Sequence, residues 1–165
     1  MPLKHAGVGF ARKIGMDTAL SLFNFNIKRK KILGCLDADC LVSENYLKEV
    51  TEQFNDNKFS AAHVNFEHPI EGSGEEKAAI ICYEIFLRYY FLSLRYAQSP
   101  YSFFTIGSTM FCDVESYIKV QGMNKRKAAE DFYFMEKLAK INKIEFIKDA
   151  FVYPSGRGSW RVPFG

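Results

Sequence analysis

ILGCLDADCLV, residues 32–42, carries five mostly apolar residues into Asp37-Ala38-Asp39 and then turns apolar again at Leu41 and Val42. A continuous apolar run of this length between two helix-like segments predicts a strand covered on both faces, central in a sheet. Along regular strand geometry, residues two apart share a face, so the two carboxylates would point the same way. Like charges that close repel, and each is costly to desolvate without a cation beside it. Two readings follow. Either the pair marks a solvent-exposed turn after the strand, where Asp is common, or it faces a positive ligand.

Upstream, residues 8–25 read as a helix with Ala11, Ile14, Thr18, Leu22 and Phe25 at spacings of three and four. It runs into Lys28-Arg29-Lys30-Lys31, a basic run that suits a helix C-terminus, with a nucleic-acid patch as the minor alternative. Downstream, Ser43 is a candidate N-cap for a helix over 44–56 with Leu47, Val50 and Phe54 on one face. FSAAHVNFE (59–67) alternates as a strand, HPIEGSGEE (68–76) is a loop, and residues 77–97 form a long buried or half-buried helix. That helix carries Glu84, Arg88 and Arg95, too polar a set for a membrane span. TMFCD (109–113) is a short strand, VESYIKV a short helix, residues 130–140 an amphipathic helix, and IEFI and AFVYP two closing strands. Strands separated by helices predict a three-layer α/β/α domain with a mostly parallel mixed sheet, spanning 1–165. In such sheets ligands gather at the carboxyl ends of strands, where Asp37 and Asp39 fall.

The chain of 165 residues is 48% hydrophobic and 25% charged, ordinary for a globular protein. Its net charge of +3 neither demands nor excludes a polyanionic partner. Four cysteines lack metal-site spacing, and Cys35, Cys82 and Cys112 stand among apolar neighbours, which reads as reduced core thiols in a cytoplasmic protein. The N-terminus has no apolar signal region. His5, His63 and His68 read as structural or exposed, with His68, before Pro69, the one placed for a site role.

A second acidic doublet, Glu130-Asp131, opens the helix AEDFYFMEKLAK; acids in a first turn also simply complement the helix dipole. The phrase GSTMFCDVESYIKVQGMNKRKAAEDFYFMEKLAK (107–140) resembles the acceptor-side half of the family 2 inverting glycosyltransferases of the GT-A fold. GVGFARKIGMDTAL followed by LDADCLV resembles the same family's helix and Asp-x-Asp motif, and YPSGRGSWRVPFG its basic tail. The resemblance covers residues 6–165 and implies a nucleotide-diphospho-sugar transferase, Rossmann-like in layout. The family's first strand and Pro-rich turn are not found ahead of the ARKIG helix, so the expectation is an N-terminally truncated domain.

What the resemblance implies for residues is specific. Asp39, with Asp37, would hold Mn²⁺ or Mg²⁺ bridging the donor's phosphates, a hard cation suited to oxygen ligands. Asp37, Gly107, Ser108, Arg12, Arg157 and Arg161 would form the donor side. Asp131 would be the general base that takes the acceptor hydroxyl's proton, with Glu130 orienting the acceptor. Implied partners are a nucleoside-diphosphate sugar and a saccharide or lipid-linked acceptor, with no nucleic acid, at the inner face of a membrane or in the bulk cytoplasm. Two alternatives accompany it. One is a non-catalytic donor-binding or interaction module of the same fold. The other is a metal-dependent nuclease or phosphotransferase using all four carboxylates around two metals.

Overall fold

The computed structural model describes residues 7–156. In chain order the elements are α1 (Val8–Leu22), β1 (Ile32–Gly34), β2 (Leu41–Val42), α2 (Tyr46–Asp56), β3 (Ala61–Phe66) and α3 (Gly74–Tyr96). After a 3-10 turn at Gly107–Thr109 come β4 (Met110–Asp113), α4 (Val114–Lys119), α5 (Glu130–Ala139) and β5 (Ile144–Tyr153). This is an α/β arrangement around one mixed sheet of five strands, in the order β1-β4-β3-β5-β2. No helix among the described residues is long and apolar enough to cross a membrane.

The sheet separates two cores because side chains alternate across it. Leu33, Ala61, Met110 and Cys112 point to one face and pack with Met16 of α1, Tyr117 of α4 and Phe134, Met135 and Leu138 of α5. Ala62, Val64, Phe111 and Val152 point to the other and pack with Tyr46, Val50 and Phe54 of α2. A smaller aromatic cluster of Phe66, Phe91 and Phe104 attaches α3.

Several sequence expectations are corrected here. The strand expected at the centre, β1, stands among the described residues at the edge of the sheet, paired there with β4 alone. Its apolar run reflects burial by layers on both sides and not a central place: Leu33 and Cys35 feed one core, and Ile32 packs on the other. The central strand is β3, whose residues Ala61–Val64 are all buried. The sheet is not mostly parallel among the described residues, where β3 with β5 is the one parallel pairing and the other three are antiparallel. After α3 returns the chain from β3, residues 97–106 add a further traverse, so β4 enters running opposite to β3. IEFI and AFVYP are one strand, β5, whose register against β3 shifts between Val64 and Asn65 and so passes over residues 148–150.

α1 ends at Leu22, and Phe23 is already extended, so the basic run follows a loop and not a helix end. Lys30 there donates to the Phe59 carbonyl and to Asp113 at 3.2 Å, which ties it into the fold. The buried side of α1 is Gly9 and Met16, while Ile14 and Leu22 face outward. Ser43 does not cap α2: Asn45 takes that place, and the Ser43 hydroxyl accepts the Phe151 N–H at 3.1 Å. Leu47 is exposed and Tyr46 holds the inward position. The long helix α3 is largely exposed, and with it Cys82, so only Cys35 and Cys112 are core thiols. Its start is well defined, because Ser73 and Glu76 form a reciprocal capping box.

Candidate functional site

Asp37 and Asp39 lie in the turn between β1 and β2, so the plain turn reading of this tripeptide is structurally correct. What the turn faces gives it further interest. A cleft of about 610 Å³ is lined by Arg12, Asp37, Asp39, Gly107, Ser108, Glu130 and Asp131, contributed by α1, the β1–β2 turn, the 3-10 turn and the start of α5. Arg157 and Arg161 lie outside the described residues.

Arg12 is the hub of this cleft. Its Nη2 donates to both oxygens of Asp37, at 2.8 and 3.0 Å, and its Nη1 to Oε1 of Glu130. The Arg12 and Glu130 side chains are 12% and 9% exposed, against 47% for Asp37. Burial alone would lower the Arg12 pKa; the net displacement is upward because Asp37, and less strongly Glu130, sit against the guanidinium. Its Nε is buried and has no partner among the described residues. Gly107 makes the arrangement possible, since a Cβ there would overlap the guanidinium. Ser108 fixes the acidic turn from beneath: its hydroxyl accepts the Asp37 N–H at 3.2 Å and the Cys40 thiol at 3.4 Å.

The second doublet is divided by the helix it opens. Glu130 turns into the protein toward Arg12, while Asp131 stands at the cleft with its Oδ1 accepting the Phe132 N–H at 2.7 Å. Burial pushes the Asp131 carboxyl above the usual carboxylate range; the Phe132 N–H opposes this, and the Glu130 charge adds to it. Ala129, just before the doublet, takes a left-handed conformation at φ 54°, a strained state for a residue with a Cβ. Asn124 braces this corner by donating to the Glu130 carbonyl at 2.9 Å.

Sequence reasoning did not single out Tyr83 and Lys127, which also line the cleft. Burial raises the Tyr83 pKa, and the Asp131 charge raises it further, so the two groups sense one another. Lys127, three residues before the acidic doublet, had a readable signal in its position; Tyr83, inside a long apolar helix, had none. Cys40 also lines the cleft, and burial raises its pKa, so it stays a thiol at neutral pH. The histidines take other places. His63 is buried among Phe91, Phe104 and Phe146, His68 pairs through Nδ1 with Glu84 at 3.0 Å, and His5 lies outside the described residues.

For a divalent cation, the donor set is lean. Among the described residues no three Asp, Glu, His or Cys side chains gather to cage a metal, and Asp37 is already paired with Arg12. One or two carboxylates in a turn suit a cation that brings phosphate oxygens and water as its remaining ligands, as Mg²⁺ commonly does.

Comparison with protein-family models, with curated proteins and with solved structures finds no match for this chain.

Proposed function

We propose that the cleft transfers a sugar from a nucleoside-diphosphate donor to an acceptor hydroxyl with inversion, in a domain of the GT-A type. The observation that carries this reading is the split acidic doublet: Glu130 held by Arg12, and beside it Asp131, a largely buried carboxyl with a raised pKa facing the same cleft as Asp37 and Asp39. A base works best with a pKa moved toward the working pH, and burial does that for Asp131. On this reading Asp131 accepts the proton of the acceptor hydroxyl as its oxygen attacks the anomeric carbon, and Glu130 keeps Arg12 and the corner of α5 in place. Asp39, with Asp37, would hold the divalent cation. When bound, that ion supplies charge neutralisation for the departing diphosphate. Gly107 and Ser108 give the donor a close approach to the backbone, and Arg12 orients Asp37 through two hydrogen bonds.

The two-metal alternative would require Asp37, Asp39, Glu130 and Asp131 to share cations. Arg12 instead stands between Asp37 and Glu130 and binds both. A saccharide or lipid-linked acceptor, met in the cytoplasm or at the inner face of a membrane, goes with the transferase reading.

The test separates the roles. A panel of nucleoside-diphosphate sugars with Mn²⁺ is screened for binding by calorimetry and for transfer by product analysis. Asp131→Asn should lower transfer by roughly 10²- to 10⁴-fold while donor affinity holds. Asp39→Ala should remove the metal dependence of donor binding. Donor affinity lost equally in both variants would return the four-carboxylate alternative, and untouched transfer in Asp131→Asn would remove the proposed base.

A further inference from the structure

α3 is 23 residues long, about 34 Å at the usual rise, and it has two apolar seams where an ordinary surface helix has one. Ile80, Leu87, Phe91 and Leu94, at spacings of seven, four and three, form the inward side; Phe91 is buried and the other three are half-buried. On the opposite side Ala78, Cys82, Ile85, Tyr89, Leu92 and Tyr96 follow one another at four, three, four, three and four residues. That is the a/d spacing of a helix packed lengthwise against another helix. All six are exposed, with Ile85 at 61%, Tyr89 at 71%, Leu92 at 59% and Tyr96 at 94%. Phe86 and Tyr90 widen the strip, their rings stacked at 6.4 Å.

We infer that this outer seam is a self-association surface, on which α3 of one copy packs antiparallel against α3 of a second copy. Three observations choose that occupant. First, the area: at roughly 200 Å² for an aromatic side chain, the exposed parts of the strip amount to about 600 Å² or more. That is at or above the largest patch of a typical monomer and close to one partner's share of a standard interface. Second, the smaller residues stand in the N-terminal half of the seam and the larger ones in the C-terminal half. Antiparallel pairing sets Ala78 against Tyr96, Cys82 against Leu92 and Ile85 against Tyr89, so every layer joins a smaller residue to a larger one. Parallel pairing would set Tyr96 on Tyr96 and Ala78 on Ala78. Third, the helix dipoles: an antiparallel pair opposes the two, whereas a parallel pair sets like ends together. A closed two-fold contact of this kind uses the same surface on both copies. This inference stands apart from the chemistry assigned to the cleft.

Mass in solution tests it first. Light scattering should give a dimer for the full chain and a monomer for Ile85→Glu and for Tyr89→Lys. The circular dichroism of both variants should be unchanged, since both side chains face solvent in the single copy, and their melting should lose the dependence on protein concentration that the dimer has. Orientation is read by cross-linking under mild oxidation. Leu92→Cys should form a covalent dimer through Cys82 of the other copy, while the unaltered chain and the Cys82→Ser/Leu92→Cys variant should not. A monomer at every concentration overturns the inference, as does a dimer indifferent to both seam substitutions. A disulfide between Cys82 residues in the unaltered chain overturns the antiparallel register. A monomer that instead sediments with phosphatidylcholine–phosphatidylglycerol vesicles through Ile85 and Tyr89 gives the face to a lipid surface, and the inference falls.

Discussion

The Arg12 guanidinium meets two carboxylates drawn from distant parts of the chain, and the two contacts differ in worth. The contact with Asp37 lies half in solvent, where screening reduces an ion pair to about 1 kcal/mol or less. The contact with Glu130 joins two side chains about one-tenth exposed, and there removing one partner strands a charge. Arg12→Met should therefore destabilise the protein by about 2–4 kcal/mol in urea unfolding, and adding Glu130→Gln should restore part of that loss. A double variant no more stable than the single one would show that the packing of Arg12, and not its charge, is what matters. His63 offers a second residue-scale test, through pH. Its ring is stacked on Phe146 at 4.7 Å, its Nδ1 has no partner among the described residues, and burial takes its pKa from 6.5 to about 3, with Arg95 contributing. The unfolded chain then binds this proton more readily than the folded one. Stability from neutral His63 is complete above about pH 6.5 and falls as the pH drops toward 3. His63→Phe, which keeps a flat ring in the slot, should lose less stability than the unaltered protein between pH 7 and pH 5. Equal losses in paired urea titrations would place the acid sensitivity elsewhere.

At the scale of the element, the connection from α4 to α5 shows how a turn positions chemistry. α4 closes through Gln121 at φ 60° and Gly122 at φ 72°, two successive left-handed residues that reverse the chain toward Asn124 and the Glu130-Asp131 corner. At Gly122 a Cβ would stand 2.9 Å from the Tyr117 hydroxyl and 3.0 Å from Nζ of Lys13. Gly122→Ala should cost about 1–2 kcal/mol from the left-handed backbone alone, seen as a lower urea midpoint. Most elements were readable beforehand, because periodicity and turn residues are local signals. Which face each helix buries was less so. On α1 the apolar spacing marks Ile14 and Leu22, yet the helix turns Met16 and Arg12 inward, because Glu130 and Asp37 pair with Arg12. A buried cation looks like a surface residue until its partners are known. On α3 the two apolar seams read together as a buried helix, and only packing distinguishes the inner seam from the outer.

On the scale of the whole molecule, strand order was the least legible property, since it depends on pairings between residues far apart in the chain. ILGCL and AAHV are both continuous apolar runs, and burial by helices on two faces accounts for both. Lateral neighbours leave no such mark: β1 has a strand on one side, β3 on both. Of the acidic residues of the cleft, Asp37 and Asp39 were legible because charge after an apolar run is conspicuous, and Glu130-Asp131 because the doublet opens a helix, whereas Tyr83 lies within an apolar helix and was hidden. The sheet order carries its own prediction for how the molecule opens. β3 is hydrogen-bonded to β4 and β5 and buried on both faces, so its amides can exchange only when the sheet comes apart. β2 is two residues long, exposed, and held by β5 alone, while β1 is three residues long and held by β4 alone. Short edge strands open at a free energy below that of global unfolding. In native-state hydrogen exchange, Ala62 and Val64 should report the global unfolding free energy, and Leu41 and Val42 should exchange well below it. Ile32–Gly34 should fall between them, being braced by Leu33 in the core. Protection at β1 equal to that at β3 would mean that this strand opens only with the whole sheet, and the edge placement would then fail as a description of the molecule in solution.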